Sequence, residues 1–193
     1  MARRALGLVA ALLVGIGTWQ LGHGLWIHAK ARLAQHLLQR AWARTLAGER
    51  AVKPWPWADT WPVARLTAPE HGIDLIVLAG ASGRTLAFGP GHLDGSAVPG
   101  ALGTVIVTGH RDTHFAFLQQ LRAGDRLVVE APGRTPTVFR VTETTVVDAR
   151  SVAVVNDDGA SALVLVTCYP FDAITAGGPL RYVVAAERVD DSR

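Results

Sequence analysis

The sequence predicts a mainly β domain, folded as a closed or nearly closed barrel or a sandwich and preceded by an N-terminal transmembrane helix. Three observations carry this. The stretch Leu6–Ile27 holds 22 residues without a single Asp, Glu, Lys or Arg. Beyond Pro62, helical spacing gives way to short β-rich runs separated by turn residues. A length of 193 residues, 49% apolar and 18% charged, fits one compact domain with a segment to spare, and excludes a fibre or a disordered tail.

Charge is unevenly placed. Residues 1–50 contain seven basic groups and one acid and net +6; the remaining 12 basic and 15 acidic residues net −3. The basic excess therefore sits beside a hydrophobic segment, which argues against nucleic acid as a partner despite the alkaline isoelectric point.

As a helix, Leu6–Ile27 would reach about 33 Å, enough to cross a hydrocarbon core of about 30 Å. Arg3 and Arg4 precede it, Trp19 and Trp26 lie near its far end, and Gln20 and His23 are polar intrusions. Basic residues before the span favour a cytoplasmic N-terminus. A cleaved signal peptide shares the basic start and the apolar stretch, and Gly15 and Gly17 would loosen a cleavage region. No clean small-x-small site precedes a polar start, so residues 1–30 are read as an uncleaved, single-pass anchor in the inner membrane. Either reading exports the remainder, and the anchor leaves the domain in the periplasm.

Residues 31–62 read as a helical stem and a linker. Leu33, Leu37, Leu38, Trp42 and Leu46 recur at helical spacing, with Arg32, Arg40 and Arg44 between them, as expected of a helix that packs on the domain or lies at the membrane surface. The run Lys53-Pro54-Trp55-Pro56-Trp57-Ala58-Asp59-Thr60-Trp61-Pro62 follows, and its three prolines stop helix and sheet alike. Its tryptophans either pack on the domain or rest at lipid headgroups.

Residues 63–193 form the β domain. Strands are predicted at residues 73–79, 86–88, 104–108, 126–130, 137–147, 162–167 and 181–186, with one short helix from Phe115 to Leu121 closed by the turn Gly124-Asp125. So many short strands at close spacing point to a barrel or sandwich.

Cys168 is the only cysteine, and a lone cysteine in an exported chain makes no internal disulfide. It follows the apolar run Leu163-Val164-Leu165-Val166-Thr167 and precedes Tyr169-Pro170, so the thiol sits at a strand terminus, where a loop can open a cleft. Placement alone fits an inert core cysteine as well as a reactive one. His110 ends a second apolar run, Thr104–Gly109, at another strand terminus. Imidazole beside a thiol allows a thiolate–imidazolium pair or proton transfer during attack, and can later protonate a leaving amine. Arg181 opens the strand after Gly177-Gly178-Pro179, and guanidinium is suited to a carbonyl whose oxygen turns anionic. Singly, each has a plain structural explanation as a surface His, an exposed Arg or a buried Cys.

Together these residues carry a resemblance. Leu165-Val166-Thr167-Cys168 resembles the end of the TLxTC motif of sortases, with Val164 in place of the motif's first Thr. His110, Cys168 and Arg181 stand in that family's order. Gly109-His110-Arg111-Asp112-Thr113-His114-Phe115, followed by Phe117-Leu118, Leu121 and Gly124-Asp125, is similar to the family's segment after its His. The resemblance spans about Pro62 to Val189, and Cys168-Tyr169-Pro170-Phe171 with the short pre-barrel region looks most similar to the Gram-negative, marine proteobacterial type.

The resemblance implies an eight-stranded barrel and a membrane-anchored cysteine transpeptidase acting on an exported protein with an LPxTG-like C-terminal sorting signal. Carried over residue by residue, Cys168 would form a thioester at the signal's Thr, His110 would shuttle the proton, and Arg181 would steady the oxyanion or hold the signal. The acyl group would pass to an amine acceptor that the sequence leaves unnamed. Thr167, Arg111 and Tyr169 are the expected substrate-binding neighbours, with tuning of His110 or plain solvation the alternative for Arg111. No metal or organic cofactor is implied.

Other readings stay open. The same Cys and His would serve a thiol hydrolase that releases its product to water, and a barrel with a buried Cys would be a non-catalytic envelope binding module. His110 and His114 are four residues apart, but no Glu follows His110 as in a metalloprotease helix. Asp112 is expected either to orient His110 or to cap the helix near Phe115. Asp157-Asp158-Gly159 reads as a turn with too few carboxylates for calcium. His71 and His92, in turn-rich stretches, are expected to be solvated.

Overall fold

The computed structural model describes residues 2–150, 161–175 and 177–189; of these, the side chains of residues 2, 4, 5 and 8–11 lie outside the description, as does the Asp157-Asp158-Gly159 turn. The chain opens with a 45-residue helix, α1 (Ala2–Leu46). Then come β1 (Pro62–Ala68), β2 (Ile73–Ala79), the short helix α2 (Gly83–Leu86), β3 (Gly91–His92), β4 (Thr104–Thr108), β5 (Arg126–Glu130), β6 (Thr137–Asp148), β7 (Ala162–Cys168) and β8 (Leu180–Arg188). Two short 3-10 helices, Pro69–His71 and Ala116–Gln120, follow β1 and β4. The eight strands close into a barrel in the order β1-β2-β3-β4-β7-β8-β6-β5, with β5 returning to β1. The expected mainly β barrel is thus observed.

Alternation built the barrel wall. β1 reads buried and half-buried in strict turn, sending Ala64, Leu66 and Ala68 inward. Opposite them stand Val105 and Val107 of β4 and Leu163 and Leu165 of β7, all at most 2% exposed. Phe115, Phe117, Leu118 and Leu121, from the segment after β4, pack into the same core.

Compact packing divides the chain into residues 1–37 and residues 38–193. In the first unit, Leu12, Leu13, Val14, Leu21, Leu25 and Ile27 are all exposed. The membrane crossing expected there is not supported: among the described residues no helix is long and apolar enough to cross a membrane. From Leu12 onward, Thr18, Gln20, His23 and His28 dilute the apolar run.

In the second unit, Leu38 and Trp42 cover Ile76 and Leu78 on the outer face of β2. The buried stripe is Leu38, Ala41, Trp42 and Thr45, one helical face, whereas Leu33 and Leu46 are exposed. The Pro/Trp run is not a free tether within this unit. Trp55 meets Phe88 edge to face at 4.7 Å, Val52 and Ala58 are buried, and the Thr60 hydroxyl donates to the Ala79 carbonyl at 2.7 Å. Of Trp55, Trp57 and Trp61, Trp57 alone is exposed, at 83%.

Four local expectations are corrected. Residues 86–88 are not a strand: Ser82 caps Thr85 N–H and starts α2, and Phe88 is taken up by Trp55. β1 was hidden by the prolines, yet Pro62 opens it, a position where the missing N–H costs no ladder bond. β3 is two residues long and has no room for a pattern; a Cβ at Gly91 would lie 2.2 Å from the Gly80 carbonyl oxygen. His71 and His92 are not simply solvated. His71 Nε2 pairs with Asp125 Oδ2 at 2.8 Å, and His92 Nε2 meets the Ala97 carbonyl and Ser96 hydroxyl.

Candidate active site

β4 and β7 run parallel in register from Thr104 opposite Ala162 to Thr108 opposite Val166, a constant offset of 58 residues. The pairing continues past the strand end: Gly109 N–H donates to the Val166 carbonyl at 3.2 Å, and the Thr167 hydroxyl donates to the Gly109 carbonyl at 2.7 Å across the same 58-residue separation. One further step at that offset sets His110 level with Cys168. On the other side of β7, β8 is antiparallel and Cys168 is the direct partner of Arg181. Direct antiparallel partners put their side chains on one face of the sheet, with Cβ atoms about 5 Å apart. Three neighbouring strands therefore deliver a base, a thiol and a guanidinium to one end of the barrel.

His110 is exposed and Cys168 half-buried, an accessible arrangement for groups that must meet a peptide. Arg181 is also half-buried, and its Nη1 donates to the Gly178 and Leu180 carbonyls at 2.8 and 2.9 Å. On the same rim, Arg150 holds the Asp148 carboxyl below its usual range through side-chain and backbone hydrogen bonds, with the Arg181 charge a smaller contribution.

Gly109 explains how His110 is aimed. A Cβ there would approach the Phe115 ring to 2.8 Å, and Phe115 is fully buried. The Phe115 N–H then donates to the His110 carbonyl at 2.9 Å, so the chain folds back immediately after the imidazole. Sequence reasoning did not single out this glycine, because the ring that demands it lies six residues further on.

The remaining expected positions are placed as follows. Thr167 is 1% exposed and its hydroxyl is committed to Gly109, so it braces the β4–β7 junction. Tyr169 stacks on Tyr182 at 6.3 Å, and Phe171 meets Tyr182 edge to face at 5.1 Å, an aromatic cluster in the segment that follows Cys168. Tyr182, the register partner of Thr167, was not foreseen in this role. Arg111 is not solvated: it is 9% exposed and its Nη2 donates to the Ala173 and Thr175 carbonyls at 2.7 and 2.9 Å. Asp112 is exposed and does not cap the 3-10 helix, whose cap position, Phe115, makes no side-chain cap bond. His114 is half-buried, and burial first and the neighbouring His110 second hold its pKa below the usual histidine range. Among the described residues no group of three His, Cys, Asp or Glu side chains gathers as a metal centre.

A barrel of this topology with His, Cys and Arg on adjacent strand ends has clear relatives. The Sortase domain family profile matches residues 66–189. Sortase D of Bacillus subtilis (strain 168) is 30% identical over 125 residues, 64% of this chain and 62% of the relative, so the match spans less than two thirds of that protein. Among solved structures, sortase C-1 from Actinomyces oris superposes with a TM-score of 0.56 at 30% identity over 67% of this chain and 75% of its own. Sortase A from Corynebacterium diphtheriae does so with 0.61 at 24% identity over 81% and 84%, a likeness of fold. The chain belongs to the sortase family.

Proposed function

We propose that this sortase is a transpeptidase that cleaves an LPxTG-like C-terminal sorting signal of an exported protein through Cys168. The observation that carries the reading is that Cys168 of β7 is the direct partner of Arg181 of β8, while His110 follows Gly109, which is bonded to Val166 and Thr167 just before the thiol. The Cys168 thiolate adds to the carbonyl carbon of the signal's Thr, and Arg181 donates to the oxygen as it becomes anionic. The carbon–nitrogen bond breaks, His110 gives its proton to the departing amine, and a thioester remains on Sγ. An incoming amine adds to that carbonyl, loses its proton to His110, and releases Sγ as thiolate. Nothing in this sequence of steps requires a redox partner.

Location at a membrane, with the barrel on the exported side, belongs to the same proposal. Its support is the apolar surface exposed by residues 12–27 behind Arg3 and Arg4. Retention of the full chain in alkali-washed membranes is expected, and complete release would remove this part. The Gram-negative affinity rests on Cys168-Tyr169-Pro170-Phe171 and the short pre-barrel region.

The test is intact-mass analysis of the full chain in detergent with an LPxTG-like peptide, with and without triglycine. A mass gain on the enzyme that disappears in Cys168→Ala, with a peptide–triglycine product, is expected. Cleavage to the water product alone would make the protein a hydrolase. A folded sample with no adduct, no cleavage and a Cys168 inert to iodoacetamide would leave a binding module.

A further inference from the structure

The chain between Tyr169 and Pro179 joins the strand that ends in Cys168 to the strand that presents Arg181, so its path shapes one side of the cleft. Among its described residues it makes few backbone hydrogen bonds. At its ends, Tyr169 N–H donates to Leu180 and Ala149 N–H to the Pro179 carbonyl. Inside it, the Ala173 N–H reaches the Pro170 carbonyl at a long 3.4 Å. Ile174 at its tip is fully exposed. Among the described residues, the hydrogen bonds that reach the middle of this loop from another element come from one atom, Arg111 Nη2, which donates to Ala173 and Thr175 at 2.7 and 2.9 Å.

Arg111 is a costly way to make two bonds. It is 9% exposed, and no carboxylate is paired with it among the described residues. Burying a guanidinium without a counter-ion is unfavourable unless its N–H groups are used, and donation from a charged group is about twice as strong as from a neutral one. The residue is also the immediate neighbour of His110. The same short segment is gripped on both sides: Gly109 by Val166 and Thr167, the His110 carbonyl by Phe115.

We propose that Arg111 is a positioning residue: it ties the loop between Cys168 and Arg181 to the strand end that carries His110, and thereby sets the wall against which the acyl donor peptide lies. The tie acts on binding and leaves the thiol in place, since the backbones of Cys168 and Arg181 are held in register by their own ladder and the Arg181 side chain meets the loop only near its end, at the Gly178 carbonyl. This rests on the transpeptidase reading for its kinetic consequence and not for its structural one.

The test pairs the full-length wild type with Arg111→Met, which keeps the length and apolar stem of the side chain and removes the donors, and with Arg111→Lys. Native-state chymotrypsin cleavage after Phe171 reads opening of the loop, because the bond after Tyr169 is protected by Pro170. Cleavage there is expected to rise about tenfold in Arg111→Met and less in Arg111→Lys, with cleavage after the barrel residue Phe139 unchanged. On a signal peptide, KM is expected to rise about fivefold or more with kcat within about twofold, and iodoacetamide alkylation of Cys168 to keep its rate and pH profile. Unchanged cleavage after Phe171 overturns the tie. Faster cleavage with a fall in kcat at constant KM, or with slowed alkylation, overturns the positioning role in favour of a direct one. If the loop opens as expected while the wild type turns over no peptide, the tie stands and the transpeptidase reading fails. Should Arg111→Met not fold, the same comparison is read in Arg111→Lys.

Discussion

The β4–β7–β8 junction and the loop that leaves it are held by opposite means. At the junction, position comes from backbone: a parallel ladder, an antiparallel ladder, and a fully buried ring beneath. In the loop, the middle is held from another element by one buried side chain and its two donations, with Phe171 against Tyr182 and the Arg181–Gly178 bond nearer its ends. A ladder distributes its constraint over many bonds and tolerates the loss of any one, whereas a single strut does not. The site thus combines a rigid reacting edge with a separately adjustable wall, the arrangement expected where chemistry is fixed and the substrate side is open to change.

The largest effect on the junction is expected at its packing. Phe115→Ala empties a fully buried site and should cost about 3–5 kcal/mol in denaturant unfolding. A loss below about 1 kcal/mol would mean that the ladders alone hold the strand ends. Gly109→Ala drives a methyl into the same ring and should cost about 1–3 kcal/mol. Because His110 is the next residue, its proposed peptide-cleaving rate should also fall about 10- to 100-fold. Combining it with Phe115→Leu, which shortens the obstructing ring, should restore part of both losses. Strict additivity of the two changes would show that the clash is not what aims His110.

The strands, and the strand ends at which His110 and Cys168 stand, were legible because they depend on local pattern: Ile73–Ala79, Thr104–Thr108 and Arg126–Glu130 lie where alternation and β-branched residues put them. What escaped depends on distant partners. β3 is two residues long and exists because Gly91 lets one backbone approach Gly80 closely. Pro62 reads as a stop until β2 is present to pair with it. Arg111 reads as a surface arginine, since the carbonyls it reaches stand 62 and 64 residues further along the chain.

A smaller effect separates the hydroxyl from the ladder. Thr167→Val keeps the β-branched shape and removes the buried donation to the Gly109 carbonyl. It should cost about 1–2 kcal/mol, mostly by leaving that carbonyl under-satisfied, while Thr167→Ser, which keeps the hydroxyl, should cost less. The reverse order would assign the residue's importance to its methyl group.

The smallest expected effect concerns charge at the same edge. His114 sits four residues after His110, half-buried; burial first, and the nearby His110 second, lower its pKa, against a weaker upward pull from Asp112. The unfolded chain takes up this proton near pH 6.5, whereas the folded protein resists it to lower pH. Over that interval the unfolded state binds more protons, so stability rises with pH. The contribution is whole above about pH 6.5, is lost as the pH falls toward the folded value, and changes no further below it. Between pH 7.5 and 5.5 the full chain should therefore lose more thermal stability than His114→Gln, by about 1–3 °C in Tm. An equal loss in both would place the pH sensitivity elsewhere. A larger loss in the wild type would show that burial at this end of the barrel disfavours the charged form of His114.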